Sequence, residues 1–419
     1  MGNLTVVEIC AGAGGQALGL ERAGFEHELA IELDPAASAT LRANRDWHVI
    51  TGDVAEPAVW EEAHRNKLAL PEKFDLLAGG VPCPPFSIAG KQLGANDERD
   101  LFAWAVEQCK VLKPKALLLE NVRGLSMPRF SGYRQHVLDR LGELGYVAEW
   151  RLLHASDFGV PQLRPRFVLV ALQDEYAPYF RWPEPQGEAP TVGQTLKGMM
   201  GARGWKGTEE WVEKANDIAP TIVGGSKKHG GADLGPTRAK RAWAQLGVDA
   251  MGVADQPPGP DDEYPVGPKL TTEMVSLLQG WNPEWNWRFE GRKTSRYRQI
   301  GNAFPPPVAE AVGRSVKAAL LKKGSPSERT VDTAHDPIYR ALRAADGYLT
   351  ASQIARAIGV TLETHELERR ISLLSRDFDL DVRNGSSTTA YKIGQFKAFT
   401  GQDDHVRHDL FLQNRARIS

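Results

Sequence analysis

Cysteine is scarce in this chain: three in 419 residues, Cys10, Cys83 and Cys109. They are too few and too widely spaced for a disulfide framework or a zinc site, so no metal is expected. No apolar run approaches the roughly 18 residues a membrane-spanning helix requires. The start, MGNLTVVEIC, runs straight into a strand-like pattern, without a basic stretch, apolar segment and cleavage site. Val6 stands where a myristoylation signal needs Ser or Thr. A reduced, intracellular protein without membrane attachment is the expectation. An excess of one charge is also lacking, since 51 Lys and Arg against 53 Asp and Glu leave a net charge of −2. No chain-wide polycation therefore announces a nucleic-acid partner.

Local charge says more. Residues 224–241, GGSKKHGGADLGPTRAKR, carry five basic residues against one acid, and residues 285–298, WNWRFEGRKTSRYR, repeat that ratio among Trp285, Trp287, Phe289 and Tyr297. Basic side chains mixed with aromatics suit phosphate contact and base stacking, while a solvated surface loop is the plainer reading of either segment alone.

The first 170 residues alternate short apolar runs with amphipathic segments, which argues for a doubly wound α/β layer. From about residue 181 the texture turns rich in Pro and Gly, and periodicity fades until about 270, as in a region of long functional loops. PPPVAEAVGRSVKAALLKK then restores a helix, with proline in its first turn, where the missing N–H costs nothing. GSPSERTVDTAHD reads as a linker. Beyond it, three short helical patterns and a hairpin with an Asn-Gly turn suggest a winged-helix-like module, with Glu363–Phe378 as its recognition helix. The charges of that helix are too balanced to decide between DNA and protein contact. The expected division is a catalytic α/β domain at 1–182, a recognition domain at 183–285, a return segment at 286–323, a linker at 324–334 and the module plus tail at 335–419.

Five stretches carry chemistry. EICAGAGGQALG follows the first strand and opens a helix, so its glycines let a ligand approach the backbone and the exposed N–H groups. Glu32 ends the second strand, where it could hold two ribose hydroxyls. FDLLAGGVPCPPFSIAG sets Cys83 between prolines on a loop after an apolar strand. LLLENVRGL puts Glu120 at the end of another strand, and DFGVPQLRPRFVLVAL presents Gln162, Arg164 and Arg166 at the entry to one more. RYRQIGNAFPPPVAEAVG comes some 130 residues later.

In order and spacing these stretches resemble the cytosine-C5 DNA methyltransferase family of restriction–modification type, over residues 5–320 with one variable gap. The resemblance implies a Rossmann-like, S-adenosylmethionine-dependent methyltransferase domain, with a small irregular target-recognition domain between the last two motifs. It implies methyl transfer to carbon 5 of a flipped cytosine in double-stranded DNA, by a monomeric bacterial enzyme of the cytoplasm and nucleoid, with a cognate restriction endonuclease as partner. Cys83 would be the nucleophile and Glu120 the acid at N3 of the base, with Arg166 on its carbonyl oxygen and Arg164 orienting the site. The cofactor would lie against Ala11, Gly12, Gly14, Gly15, Glu32, Leu33, Asp53, Val54, Pro82, Leu101 and Asn302. Ser87, Arg99, Thr221, Ile222, Lys227, Lys228 and Arg238 would meet DNA. Two departures stand out: Cys10 replaces an aromatic residue of the family, and Pro84 replaces a glutamine after the cysteine. A tRNA cytosine-C5 methyltransferase and a non-catalytic DNA-binding regulator are the alternative readings.

Overall fold

The computed structural model describes residues 3–56, 73–82, 101–224, 232–327, 335–360, 363–385 and 388–396. Cys83, Ser87, Arg99, Lys227 and Lys228 lie outside these residues. The core is a seven-stranded sheet of order β3-β2-β1-β4-β5-β7-β6. Its strands are β1 (Leu4–Ile9), β2 (Phe25–Glu32), β3 (Val49–Thr51), β4 (Leu76–Gly79), β5 (Ala116–Val122), β6 (Tyr146–His154) and β7 (Pro165–Gln173). Neighbours from β3 to β5 pair parallel, whereas β7 runs antiparallel between β5 and β6, so the expected doubly wound sheet is mixed.

Covered faces explain the apolar strands. β4 is buried throughout and β5 is buried up to Glu120 and Asn121, as expected of strands lying between helical layers. Side chains alternate across β5. Leu117 and Leu119 join one core with α3 (Leu101–Leu112) and α4 (Ser131–Glu143), while Leu118 joins the other with α10 (Pro306–Leu320). That last helix packs on α1 (Gly15–Ala23), bringing the end of the return segment to the first strand, while α2 (Pro35–Asn44) links β2 to β3. A Cβ on Gly19 would meet Ala309 Cβ at 2.5 Å and Pro306 O at 2.6 Å, so glycine is what permits this approach.

Between sheet and return helix, the chain forms α5 (Val192–Met200), α6 (Thr208–Lys214), α7 (Thr237–Gln245) and α8 (Thr272–Leu278). They enclose a core of their own around Trp211, Trp243, Met274 and Trp281, which Tyr297 and Ile300 of α9 (Lys293–Asn302) complete. The aromatics of 285–289 are half-buried, packed against this core. Trp287 donates to Ala13 O at 3.1 Å, Phe289 meets Trp281 edge-on at 5.0 Å, and Arg22 covers Trp285.

Residues 337–396 build α11 (Pro337–Ala344), α12 (Ala351–Ile358) and α13 (Thr364–Asp377), with a small antiparallel sheet of β8 (Leu349–Thr350), β9 (Phe378–Asn384) and β10 (Thr389–Phe396), ordered β8-β10-β9. This unit is docked on α4 through the same apolar core as the large sheet. Gln135 accepts from the backbone N–H groups of His335 and Asp336, at 2.7 and 3.1 Å. His136 Nδ1 lies 2.8 Å from the Tyr339 hydroxyl, and its ring lies 4.3 Å from that of Phe396.

Burial, aided by Arg343 and Arg140, pulls His136 from the usual 6.5 down to about 3. The unfolded chain thus takes up a proton that the folded chain refuses, so this contribution to stability is full above pH 6.5 and declines as pH falls below it. Between pH 6.5 and 5, the wild type should lose more stability than His136→Asn, with a slope difference of at most about 1.4 kcal/mol per pH unit. Urea denaturation across that range measures it, and parallel slopes would contradict the assignment.

Candidate active site

The chain leaves β1 toward β2 and β3, then returns to β4 on the other side of β1. This reversal opens a crevice at the carboxyl ends of the strands, where α/β sheets bind ligands. A cavity of about 380 Å³ occupies it, lined by residues 10–13, 15 and 16 after β1, 32–34 after β2, 52–54 after β3, Gly80 and Pro82 after β4, Leu101, Glu120, and residues 298, 299 and 302–304. Every expected cofactor residue but Gly14 lines it.

The loop after β1 turns through left-handed backbone at Cys10 (φ 49°), Gly12 (φ 56°) and Gly14 (φ 87°), conformations that glycine adopts without strain. Gly14 has a second reason to be glycine, for a Cβ there would lie 2.4 Å from the Trp287 ring. Glu32 holds the loop: one carboxylate oxygen accepts from Gly12 N and the other from Asp34 N, both at 2.7 Å. Burial raises its pKa, and these two N–H groups oppose the rise. Beside it Leu33 is 63% exposed, an uncovered aliphatic surface at the cavity rim. Glu8, fully buried and 3.1 Å from His27 Nε2, lines the cavity with an oxygen, Oε1, that has no hydrogen-bond partner among the described residues. A carboxylate placed to accept from hydroxyls, an apolar face and an unmatched buried acceptor fit an adenosyl compound with an amino-acid tail.

Glu120 ends the buried part of β5. Because β7 is antiparallel, its first residues return to that strand end, where Arg166 pairs with Val122 in register. Arg166 Nε stands 2.7 Å from Glu120 Oε1, and both side chains are less than a tenth exposed. Burial raises the Glu120 pKa, against the attraction of Arg166 and Arg164. Asn121 donates to Val81 O at 3.2 Å and so ties the strand end to the loop that leads into Cys83. A Cβ on Gly80 would lie 3.5 Å from Glu120 Oε2. The acid and the segment preceding the cysteine therefore share one corner of the cavity, with Arg166 set against the acid.

Arg164 does something different from Arg166. It is 1% exposed, and its guanidinium donates to the carbonyls of Ile222 (2.7 Å), Gly301 (2.7 Å) and Ala303 (2.8 Å). Gln162 works beside it, accepting from Ile222 N and donating to Leu278 O and Gln279 Oε1, while Gln279 donates to Ala303 O. These groups clamp the 219–224 strip to the sheet and to the end of α9. The strip is further held by Thr221 Oγ1 donating to Leu163 O, and by Tyr297 donating to Val223 O at 2.9 Å. Ile222, expected at DNA, is 1% exposed in the core of the helical region, so its side chain anchors the strip. Arg238 is exposed on α7. Sequence reading missed Glu8 and Gln279; a Gln amid the apolar SLLQGW is the one local signal for the latter, and it names no partner.

A family described as C-5 cytosine-specific DNA methylase matches residues 4–318. Type II methyltransferase M.NaeI of Lentzea aerocolonigenes is 68% identical over 420 residues, covering all of both chains. Type II methyltransferase M.NgoMIV of Neisseria gonorrhoeae is 50% identical over 324 residues, taking in 76% of this chain and 99% of that one. Among solved structures, the Entamoeba histolytica methyltransferase EhMeth has the same fold, with a TM-score of 0.52 at 13% identity over 76% of this chain and 99% of that chain.

The clamp has a measurable weight. The three carbonyls are divided between two nitrogens of a rigid fork, a spread that one ammonium nitrogen does not reproduce, so Arg164→Lys leaves buried acceptors unmatched. It should cost about 3 kcal/mol of stability by chemical denaturation; an unchanged midpoint would show that the clamp carries little.

Proposed function

Since the chain belongs to the C-5 cytosine-specific DNA methylase family and is a Type II DNA (cytosine-5)-methyltransferase of restriction–modification type, we propose that Cys83 is its nucleophile and Glu120 its acid. The observation that carries this reading is buried Glu120, which lines the cavity with Gly80 and Pro82 and is paired with Arg166. Carbon 5 of cytosine is electron-poor and does not attack a methyl donor unaided. Addition of the Cys83 thiolate at carbon 6 breaks the aromaticity and makes carbon 5 enamine-like. Glu120 holds N3 as negative charge builds on the ring, and its raised pKa suits a carboxyl that keeps a proton for that contact. Arg166 steadies the acid and binds the ring's carbonyl oxygen. Loss of the carbon-5 proton and β-elimination then release the cysteine.

S-adenosylmethionine, the methyl donor of the family, supplies an electrophilic methyl group when bound. Gly12, Gly14 and Gly15 would cradle its methionine portion, Glu32 its ribose, and Leu33, Asp53, Val54 and Leu101 its adenine, with Pro82 and Asn302 closing the pocket. The base must leave the duplex stack, at a cost of a few kcal/mol. Residues 183–285 would read the DNA, with Ser87, Arg99, Thr221, Lys227, Lys228 and Arg238 at its backbone or bases, and the 337–396 unit would be a winged-helix-like module. A monomer in the bacterial cytoplasm, paired with a cognate nuclease, completes the reading.

Labelled methyl transfer from S-adenosylmethionine to duplex DNA tests it, and bisulfite sequencing of DNA from an expressing host reports base and site together. Cys83→Ser should abolish turnover and leave cofactor affinity nearly intact; retained turnover would remove Cys83 from the mechanism. Glu120→Gln should lower kcat about 10²–10⁴-fold. A raised pKa means that the neutral acid persists to higher pH, so wild-type kcat should decline on the alkaline side as that proton is lost. The residual activity of Glu120→Gln should lack this limb, and an unaltered profile would contradict the role.

A further inference from the structure

Gln16 is the second residue of α1 and is 3% exposed, yet neither Oε1 nor Nε2 has a hydrogen-bond partner among the described residues. Leaving a buried amide unmatched costs about 1–3 kcal/mol for each group. A leucine or alanine would fill the site without that cost, so the amide needs a reason. Gln16 lines the cavity beside the glycine loop and Asn302–Phe304. It also stands at a helix start where Gly14 is the N-cap and no side chain caps the first turn. The field there favours a negative group. A carboxamide offers a donor to an anion and an acceptor to a cation. Glu8 Oε1, buried and unmatched, adds a second acceptor on the same wall.

These features match a zwitterion. The carboxyl groups and exposed apolar surface suited to a ribose and an adenine, Glu32, Asp53 and Leu33, come from the ends of β2 and β3, whereas Gln16 belongs to the first turn after β1. We propose that Gln16 binds the α-amino-acid end of the methyl donor, with Nε2 donating to the carboxylate and Oε1 accepting from the ammonium. This rests on the reading of the cavity as the S-adenosylmethionine site. Gln16 is then a binding residue that sets how far the donor's tail enters the protein, and with it where the sulfonium sits relative to the corner holding Glu120.

Two nucleosides separate this role from packing. S-adenosylhomocysteine carries the amino-acid end, and 5′-methylthioadenosine lacks it. In calorimetric titrations of the full chain without DNA, Gln16→Leu should weaken S-adenosylhomocysteine about tenfold or more, the loss of a charge-assisted hydrogen bond. Its affinity for 5′-methylthioadenosine should stay within about twofold of wild type. Gln16→Glu, which sets a negative charge against the carboxylate, should lose more of the first ligand and as little of the second. It provides the same comparison should the leucine variant fold poorly. Equal losses for both nucleosides, or none for S-adenosylhomocysteine, would overturn the assignment while the cofactor site stands. Failure of the wild type to bind either nucleoside would overturn the cofactor reading and this inference with it.

Discussion

One buried guanidinium holds the working parts together. Arg164 enters from β7 and ties Ile222, Gly301 and Ala303, so one side chain joins the sheet, the helical region and the return segment. Removing such a group from water is costly, and its pKa is driven well below the usual arginine range, chiefly by burial. Three carbonyls in fixed directions offset that cost. The junction they make is what brings Asn302 and Phe304 over the glycine loop, since a Cβ on Gly15 would lie only 2.3 Å from Phe304 O. Without the junction the cavity would lack one wall.

The cavity's acids show how position assigns a task. Glu8, Glu32 and Glu120 belong to β1, β2 and β5, and burial raises the pKa of each. Their partners differ. Glu32 receives two backbone N–H groups that fix its orientation, Glu8 faces His27, and Glu120 faces an arginine at the mouth of the loop that leads to Cys83. Three chemically similar side chains thus stand ready for different contacts, because the parallel strands end together while their neighbours do not repeat.

The C-terminal unit is joined to the catalytic layer as closely as two parts of one core. Leu374 and Phe378 close on Gly132 of α4, and Asp336 accepts from Ser131. Yet the family match ends at residue 318, and M.NgoMIV is matched over 99% of its length by 76% of this chain. M.NaeI, in contrast, matches along the whole chain.

The sequence alone determined the alternation of strand and helix, the loop glycines, and the order of Cys83, Glu120, Arg164, Arg166 and Asn302. Those are local signals: a period of two or 3.6, a turn that needs left-handed backbone, a charged residue at a strand end. It also marked residues 285–289 as aromatic and basic, but could not say which way the rings face. That depended on Ala13, Trp281 and Arg22, which are distant in the chain. The antiparallel β7, the separate tasks of Arg164 and Arg166, the burial of Ile222 and the unmatched amide of Gln16 were likewise decided only by tertiary structure. A side chain's role follows from which partners surround it and whether water can reach it, and long-range packing sets both.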